Sequence, residues 1–121
     1  MAGDDRRVVV VADDDEAMRL LCRVNLELEG YRVVEAVDQG EIEAALQGDD
    51  VALVILDIRL GTHDGVEIAR RLREHYPDVP VAFLSGSVRF GEELAEISAA
   101  RIRKPFTLEE LIGTVNRVAR P

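Results

Sequence analysis

Five short apolar runs, separated by segments of helical period, restrict this chain more than any other feature. Val8 to Ala12, Tyr31 to Ala36, Val51 to Leu56, Val81 to Leu84 and Ala100 to Arg103 read as strands. Val8 to Ala12 is β-branched and uniformly apolar, as a strand covered on both faces should be, and Val51 to Leu56 is the most apolar stretch of the chain. The intervening segments carry a different period. Glu16 to Glu29 places Met18, Leu21, Cys22 and Leu28 near helical spacing, and Gly30 stops that helix. Gly40 to Gln47 reads as a second helix, and Val66 to His75 as a third with Ile68, Ala69 and Leu72 on one face. Phe90, Leu94 and Ile97 suggest a short fourth helix, interrupted early by Gly91. Thr107-Leu108-Glu109-Glu110 fits a capping box opening a last helix from Leu108 to about Ala119. Strands alternating with helices predict an α/β chain: a single five-stranded parallel sheet with helices on both faces.

Length and composition bound what such a chain does. At 121 residues it has the size of one domain, with no linker, repeat or low-complexity segment, and nothing in it is expected to serve as an output domain. The net charge of -9 argues against direct binding to nucleic acid or to an anionic membrane surface. Cys22 is the only cysteine, which excludes an intrachain disulfide, and its apolar helical setting reads as core. There is no apolar signal region at the start and no run of membrane-spanning length, so a cytoplasmic location is expected.

Four polar patches end four of the apolar runs: Asp13-Asp14-Asp15, Asp57, Ser85-Gly86 and Lys104-Pro105. In an open parallel sheet, ligands bind outside the carboxyl ends of the strands, where the winding reverses. With strand order 2-1-3-4-5 the first and third strands are neighbours, about 4.8 Å apart. Asp13, Asp14 and Asp57 then come within reach of one ion, and their hard oxygens suit Mg²⁺. Acids at a helix N-terminus explain one or two of the three consecutive aspartates well, and all three poorly. A carboxylate beside a cation and a lysine is also a nucleophile toward phosphorus. Lys104 and the Ser85 hydroxyl are placed to neutralise and donate to phosphoryl oxygens.

The order of these pieces resembles the receiver domain of two-component response regulators, from Arg7 to Ala119. The segments that carry the resemblance are Val-Val-Ala-Asp13-Asp14-Asp15-Glu-Ala-Met-Arg, Leu-Asp57-Ile-Arg-Leu-Gly-Thr-His-Asp64-Gly65, Pro-Val-Ala-Phe-Leu-Ser85-Gly86 and Arg-Lys104-Pro105-Phe106. It implies a flavodoxin-like doubly wound fold, and a signalling domain rather than an enzyme in the usual sense. Asp57 would accept a phosphoryl group from a histidine kinase or a histidine phosphotransfer protein. Asp14, Asp57 and the backbone carbonyl of Arg59 would bind Mg²⁺, with Asp13 acting through water. Ser85 and Lys104 would contact the phosphoryl oxygens, and the Lys104–Pro105 bond would be cis.

The sequence departs from the family pattern at several points. Gly61 stands where proline is usual, and Arg101 where a switch aromatic is usual. Lys104 follows Ser85 by nineteen residues, about one helical turn fewer than the family pattern, which predicts a stunted fourth helix. Arg59 and Ser87 flank the phosphoryl site, where the family tunes hydrolysis. His63 reads as an exposed loop residue, and His75 as a solvated residue at a helix C-terminus. Met18, Leu21, Pro105 and Phe106 lie near the pocket as a candidate donor-docking surface. Two other readings are open. One is a pseudo-receiver that binds a partner regardless of phosphorylation. The other is a small Asp-nucleophile phosphatase, against which Glu16 and Ala17 after Asp13-x-Asp15 and the short chain both argue.

Overall fold

The computed structural model describes residues 5–86 and 92–121. Five strands, β1 (Val8–Ala12), β2 (Arg32–Ala36), β3 (Val51–Asp57), β4 (Val81–Ser85) and β5 (Ala100–Arg103), form one sheet. All its pairings are parallel, in the order β2-β1-β3-β4-β5, so β1 and β3 are neighbours and the winding reverses between them. The expected order 2-1-3-4-5 is the one found. Five helices alternate with the strands: α1 (Glu16–Leu28), α2 (Gln39–Gly48), α3 (Gly65–His75), α4 (Glu92–Ile97) and α5 (Leu108–Val118). At 6 residues α4 is as short as the spacing predicts. Ser87, Phe90 and Gly91 lie outside the described residues.

The two-residue period of the strands sorts the core into two layers. Val8, Val10, Ala12, Val54, Leu56 and Phe83 pack with Ile42, Leu46, Ile68 and Leu72 of α2 and α3. Val9, Val11, Leu53, Ile55, Leu84 and Ile102 pack with Cys22 and Leu26 of α1 and with Leu111 and Val115 of α5. Both faces of the central strands are therefore dry, which is why β1 and β3 carry almost no polar residue. Cys22 is fully buried, and burial, helped by the Asp13 carboxylate, pushes its thiol up to about 11.

The apolar stripe of α1 differs from the sequence expectation. Met18, Cys22 and Leu26, spaced by four, face the sheet, whereas Leu21 and Leu28 are 42% and 80% exposed. At about 100° per residue these two project away from the Cys22–Leu26 line. Leu20 and Val24 are exposed as well, so α1 has an apolar outer face in addition to its core face.

The helix ends follow local chemistry. Asp15, Asp38, Asp64 and Thr107 are the N-caps of α1, α2, α3 and α5, each accepting from a backbone N–H in the first turn. Thr107 accepts from Glu110 as predicted. A reciprocal arrangement occurs at α2, where Asp38 Oδ1 accepts from Glu41 N and Glu41 Oε1 accepts from Val37 N. Past α1 the chain turns through Gly30, at φ 97°, into β2. Among the described residues no helix is long and apolar enough to cross a membrane.

Candidate functional site

Register carries the functional side chains to one edge. Ala12 pairs with Leu56, which sets Asp13 beside Asp57. Asp57 pairs with Leu84 and Ser85 pairs with Arg103, so Ser85 and Lys104 each stand one residue further along at the same end of the sheet. Alternation then selects the face. Asp13 continues the series Val9, Val11; Asp57 continues Leu53, Ile55; Lys104 continues Ala100, Ile102. All three belong to the α1/α5 side of the sheet, while Ser85 continues the opposite series from Val81 and Phe83.

The geometry follows from that placement. Lys104 Nζ donates to Asp13 Oδ2 and to Asp57 Oδ2, both at 3.2 Å. One carboxylate oxygen each from Asp13, Asp14 and Asp57 lies within 4.8 Å of the others, and these three form a group able to hold a metal ion. Hard, convergent oxygen donors of this kind fit a small divalent cation such as Mg²⁺. Asp13 is buried, Asp57 half-buried and Asp14 exposed, so the pocket opens on the Asp14 side. The three consecutive aspartates divide their work: Asp15 caps α1, and Asp13 and Asp14 turn to the pocket. The Lys104–Pro105 bond is cis, as the resemblance implies.

Charge is unbalanced here. Burial raises the Asp13 pKa above the ordinary carboxylate value, and the nearby Asp57 charge adds to the rise; the Asp15 N–H bond and Lys104 pull the other way. Burial works against the Lys104 ammonium, but Asp13 and Asp57 outweigh it and its pKa is raised. The lysine is therefore fully charged at neutral pH.

After β3 the chain forms a small antiparallel hairpin, Arg59–Leu60 with His63–Asp64. It turns at Gly61, whose φ of 62° no proline can adopt. Leu60 is buried beneath it, while Arg59, Thr62 and His63 are exposed and line a cleft with Asp57, Ser85 and Gly86. Arg59 N donates to Asp57 Oδ1 at 3.1 Å, fixing the second oxygen of that carboxylate. Gly65 N donates to the Ile58 carbonyl at 2.6 Å. A Cβ at Gly65 would fall 2.6 Å from that same oxygen and closer still to the carbonyl of Asp57, so only glycine lets α3 start here.

His63 is exposed in the hairpin, and His75 is exposed in the last turn of α3 beside Arg73, both as the sequence suggests. Arg101 is exposed on β5. Of the docking set, Leu21 and Pro105 are exposed, while Met18 and Phe106 are half-buried against the α1/α5 layer. Two residues at the site were not singled out from sequence, Arg19 and Glu35: Arg19 Nη1 donates to the Asp13 carbonyl at 2.7 Å and its Nε to Glu35 Oε1 at 3.1 Å. The readable signal was Glu35, a lone acid in an otherwise apolar half-strand.

Solved structures share this arrangement of strands. Response regulator MprA of Mycolicibacterium vanbaalenii is 33% identical over 115 residues, 93% of this chain and 50% of that protein. MprA of Mycobacterium ulcerans is 32% identical over the same length. The chain spans about half the length of the curated relatives it matches. Among solved structures, chemotaxis protein CheY4 of Vibrio cholerae superposes with a TM-score of 0.85 at 26% identity, covering 93% of this chain and 98% of that one. Response regulator TrrA of Thermotoga maritima, solved in complex with Mg²⁺-BeF, superposes with a TM-score of 0.83 at 26% identity, over 93% and 98% of the two chains. The family model described as the response regulator receiver domain matches residues 9–116, and the chain belongs to that family.

Proposed function

We propose that this domain is a phosphorylation-dependent signalling receiver in the cytoplasm, with Asp57 as phosphoacceptor. The carrying observation is Lys104 Nζ at 3.2 Å from both Asp13 Oδ2 and Asp57 Oδ2, inside a three-carboxylate group whose oxygens lie within 4.8 Å. The donor is a phosphohistidine on a histidine kinase or phosphotransfer protein. An Asp57 oxygen bonds to phosphorus as the phosphorus–nitrogen bond breaks, and the imidazole nitrogen leaves with the electron pair. Asp13, Asp14, Asp57 and the Arg59 carbonyl would hold Mg²⁺, with Asp13 acting through water. When bound, the ion neutralises charge on the phosphoryl oxygens. Lys104 neutralises another of those oxygens, and Ser85, 2% exposed at the end of β4, offers its hydroxyl to a third.

The exposed Leu21 and Pro105 are the accessible part of the proposed donor-docking surface. Substituting both by serine should slow phosphotransfer from a kinase and leave reaction with acetyl phosphate unchanged; equal rates from the kinase would remove that surface from the account. With Arg101 in place of the aromatic and α4 only 6 residues long, signalling by protein contact would use a readout other than an inward-turning ring.

Intact mass after incubation with Mg²⁺ and acetyl phosphate tests the central reading. One acid-stable, base-labile phosphoryl adduct is expected on the unaltered chain and none on Asp57→Asn. No adduct, even with a histidine kinase as donor, would instead favour a phosphorylation-independent binding module.

A further inference from the structure

Asp13 is held at more points than a ligand side chain requires. Its N–H donates to the Ala36 carbonyl of β2 at 3.2 Å, and its own carbonyl accepts from Arg19 Nη1 at 2.7 Å. Its Oδ1 accepts from Asp15 N at 2.9 Å and its Oδ2 from Lys104. Arg19 is itself fixed. Its Nε donates to Glu35 Oε1 at 3.1 Å, and the other oxygen of that carboxylate accepts from Arg23 Nη1 at 2.6 Å. The Arg19 side chain is 13% exposed, so its own bond to the Asp13 carbonyl is partly shielded from water.

Glu35 immediately precedes Ala36, the residue whose carbonyl receives the Asp13 N–H. Strand β2 therefore grips Asp13 twice, once through its backbone and once through the Glu35–Arg19 bridge. We propose that Arg19, braced by Glu35 and Arg23, is a positioning residue for the metal and phosphoryl pocket. It locks the peptide of Asp13, and with it the direction of the Asp13 carboxylate, while Glu35 balances its own charge. The planar fork of arginine is needed because two acceptors on two different elements must be served at once. The inference rests on the Mg²⁺-dependent reading of the pocket, and a contrast inside β2 separates it from general stabilisation. At the opposite end of the same strand Arg32, the first residue of β2, pairs with Asp49.

The test is calorimetric titration with Mg²⁺ alone, with circular dichroism to verify the fold of each variant. Arg19→Met is expected to bind Mg²⁺ about tenfold more weakly, the loss typical when a residue supporting a metal ligand is removed. Glu35→Ala should lose a similar factor, because it releases Arg19. Arg19→Lys should lie between, since an ammonium serves one of the two acceptors well but not both. Arg32→Met should bind as the unaltered chain does. Should Arg19→Met fail to fold, Arg19→Lys and Glu35→Ala decide the matter. Unchanged affinity in folded Arg19 and Glu35 variants overturns the positioning role and leaves the Mg²⁺ reading intact. An equal loss in Arg32→Met overturns it as well. No Mg²⁺ binding by the unaltered chain overturns both.

Discussion

The two ends of the sheet are built on opposite electrostatic rules. At the amino ends of the strands, Arg7, Arg32 and Arg120 each have partners of their own. Arg32 pairs with Asp49, and Arg120 pairs with Asp50 while donating from Nε to the Val51 carbonyl. Arg7 lies over the Tyr31 ring at 5.0 Å and donates to the Ala119 carbonyl, and the Tyr31 hydroxyl donates to Asn116. At the carboxyl ends, three carboxylates converge, one lysine bonds two of them, and Arg19 holds the Asp13 carbonyl. The balanced end joins the two ends of the chain to the sheet and asks for nothing further. The unbalanced end carries the oxygen donors of the proposed cation site. One sheet thus keeps its stabilising pairs and its ligand-seeking charges a strand's length apart.

The contrast can be broken in order of expected effect. Gly65→Ala should destabilise the fold by roughly 3 kcal/mol, because a methyl must enter space held by backbone carbonyls. Arg32→Met at the other end should cost about 0.5 kcal/mol, the value of a partly exposed pair; denaturant titration of both checks the ratio. Lys104→Met should slow phosphorylation by acetyl phosphate about a hundredfold, as expected for loss of a fixed cation at the reacting oxygens. A rate within threefold of the unaltered chain would show that Lys104 is not part of the chemistry.

Mg²⁺ should raise the melting temperature by mass action, worth about 1.4 kcal/mol at ten times its Kd. Asp14→Asn should lose this response and melt in the absence of Mg²⁺ no lower than the unaltered chain; an unchanged Mg²⁺ response would refute the metal site. The last expectation concerns pH. The raised Asp13 pKa means that the folded chain holds that proton more firmly than the unfolded chain does. The Asp13 contribution to stability therefore falls as pH rises from the ordinary carboxylate value through the raised one. Without Mg²⁺, the melting temperature of Asp13→Asn minus that of the unaltered chain should grow from pH 4 to pH 7. A flat difference would show that Asp13 is not strained by its burial.

The strands and the four site patches were legible in the sequence because each has a local cause, whereas the strand order entered as a premise that goes with the doubly wound fold of the family resemblance. A covered strand must be apolar at every position, and polar residues then mark where it ends. Bounds moved by a residue or so at element ends, as at Asp57 and Ser85, which the sheet includes in β3 and β4. What stayed hidden depends on contacts across elements. The sorting of α1 into Met18, Cys22 and Leu26 inward and Leu21 and Leu28 outward requires the angle at which the helix lies on the sheet. The Arg19–Glu35 bridge spans α1 and β2, and its only local trace is an acid in an apolar run. Gly65 belongs to a segment that carries the family resemblance, but its closeness to the Asp57 backbone appears only in three dimensions.

Asp15 does two things within one turn: its carboxylate closes the start of α1 through Ala17 N, and its own N–H holds Asp13 Oδ1. The start of the helix and the acidic wall of the pocket are therefore tied through one residue. Cation binding would be felt along α1 as slower hydrogen exchange in its first turn, so that a helix carrying an apolar outer face becomes a gauge of whether the pocket below it is filled.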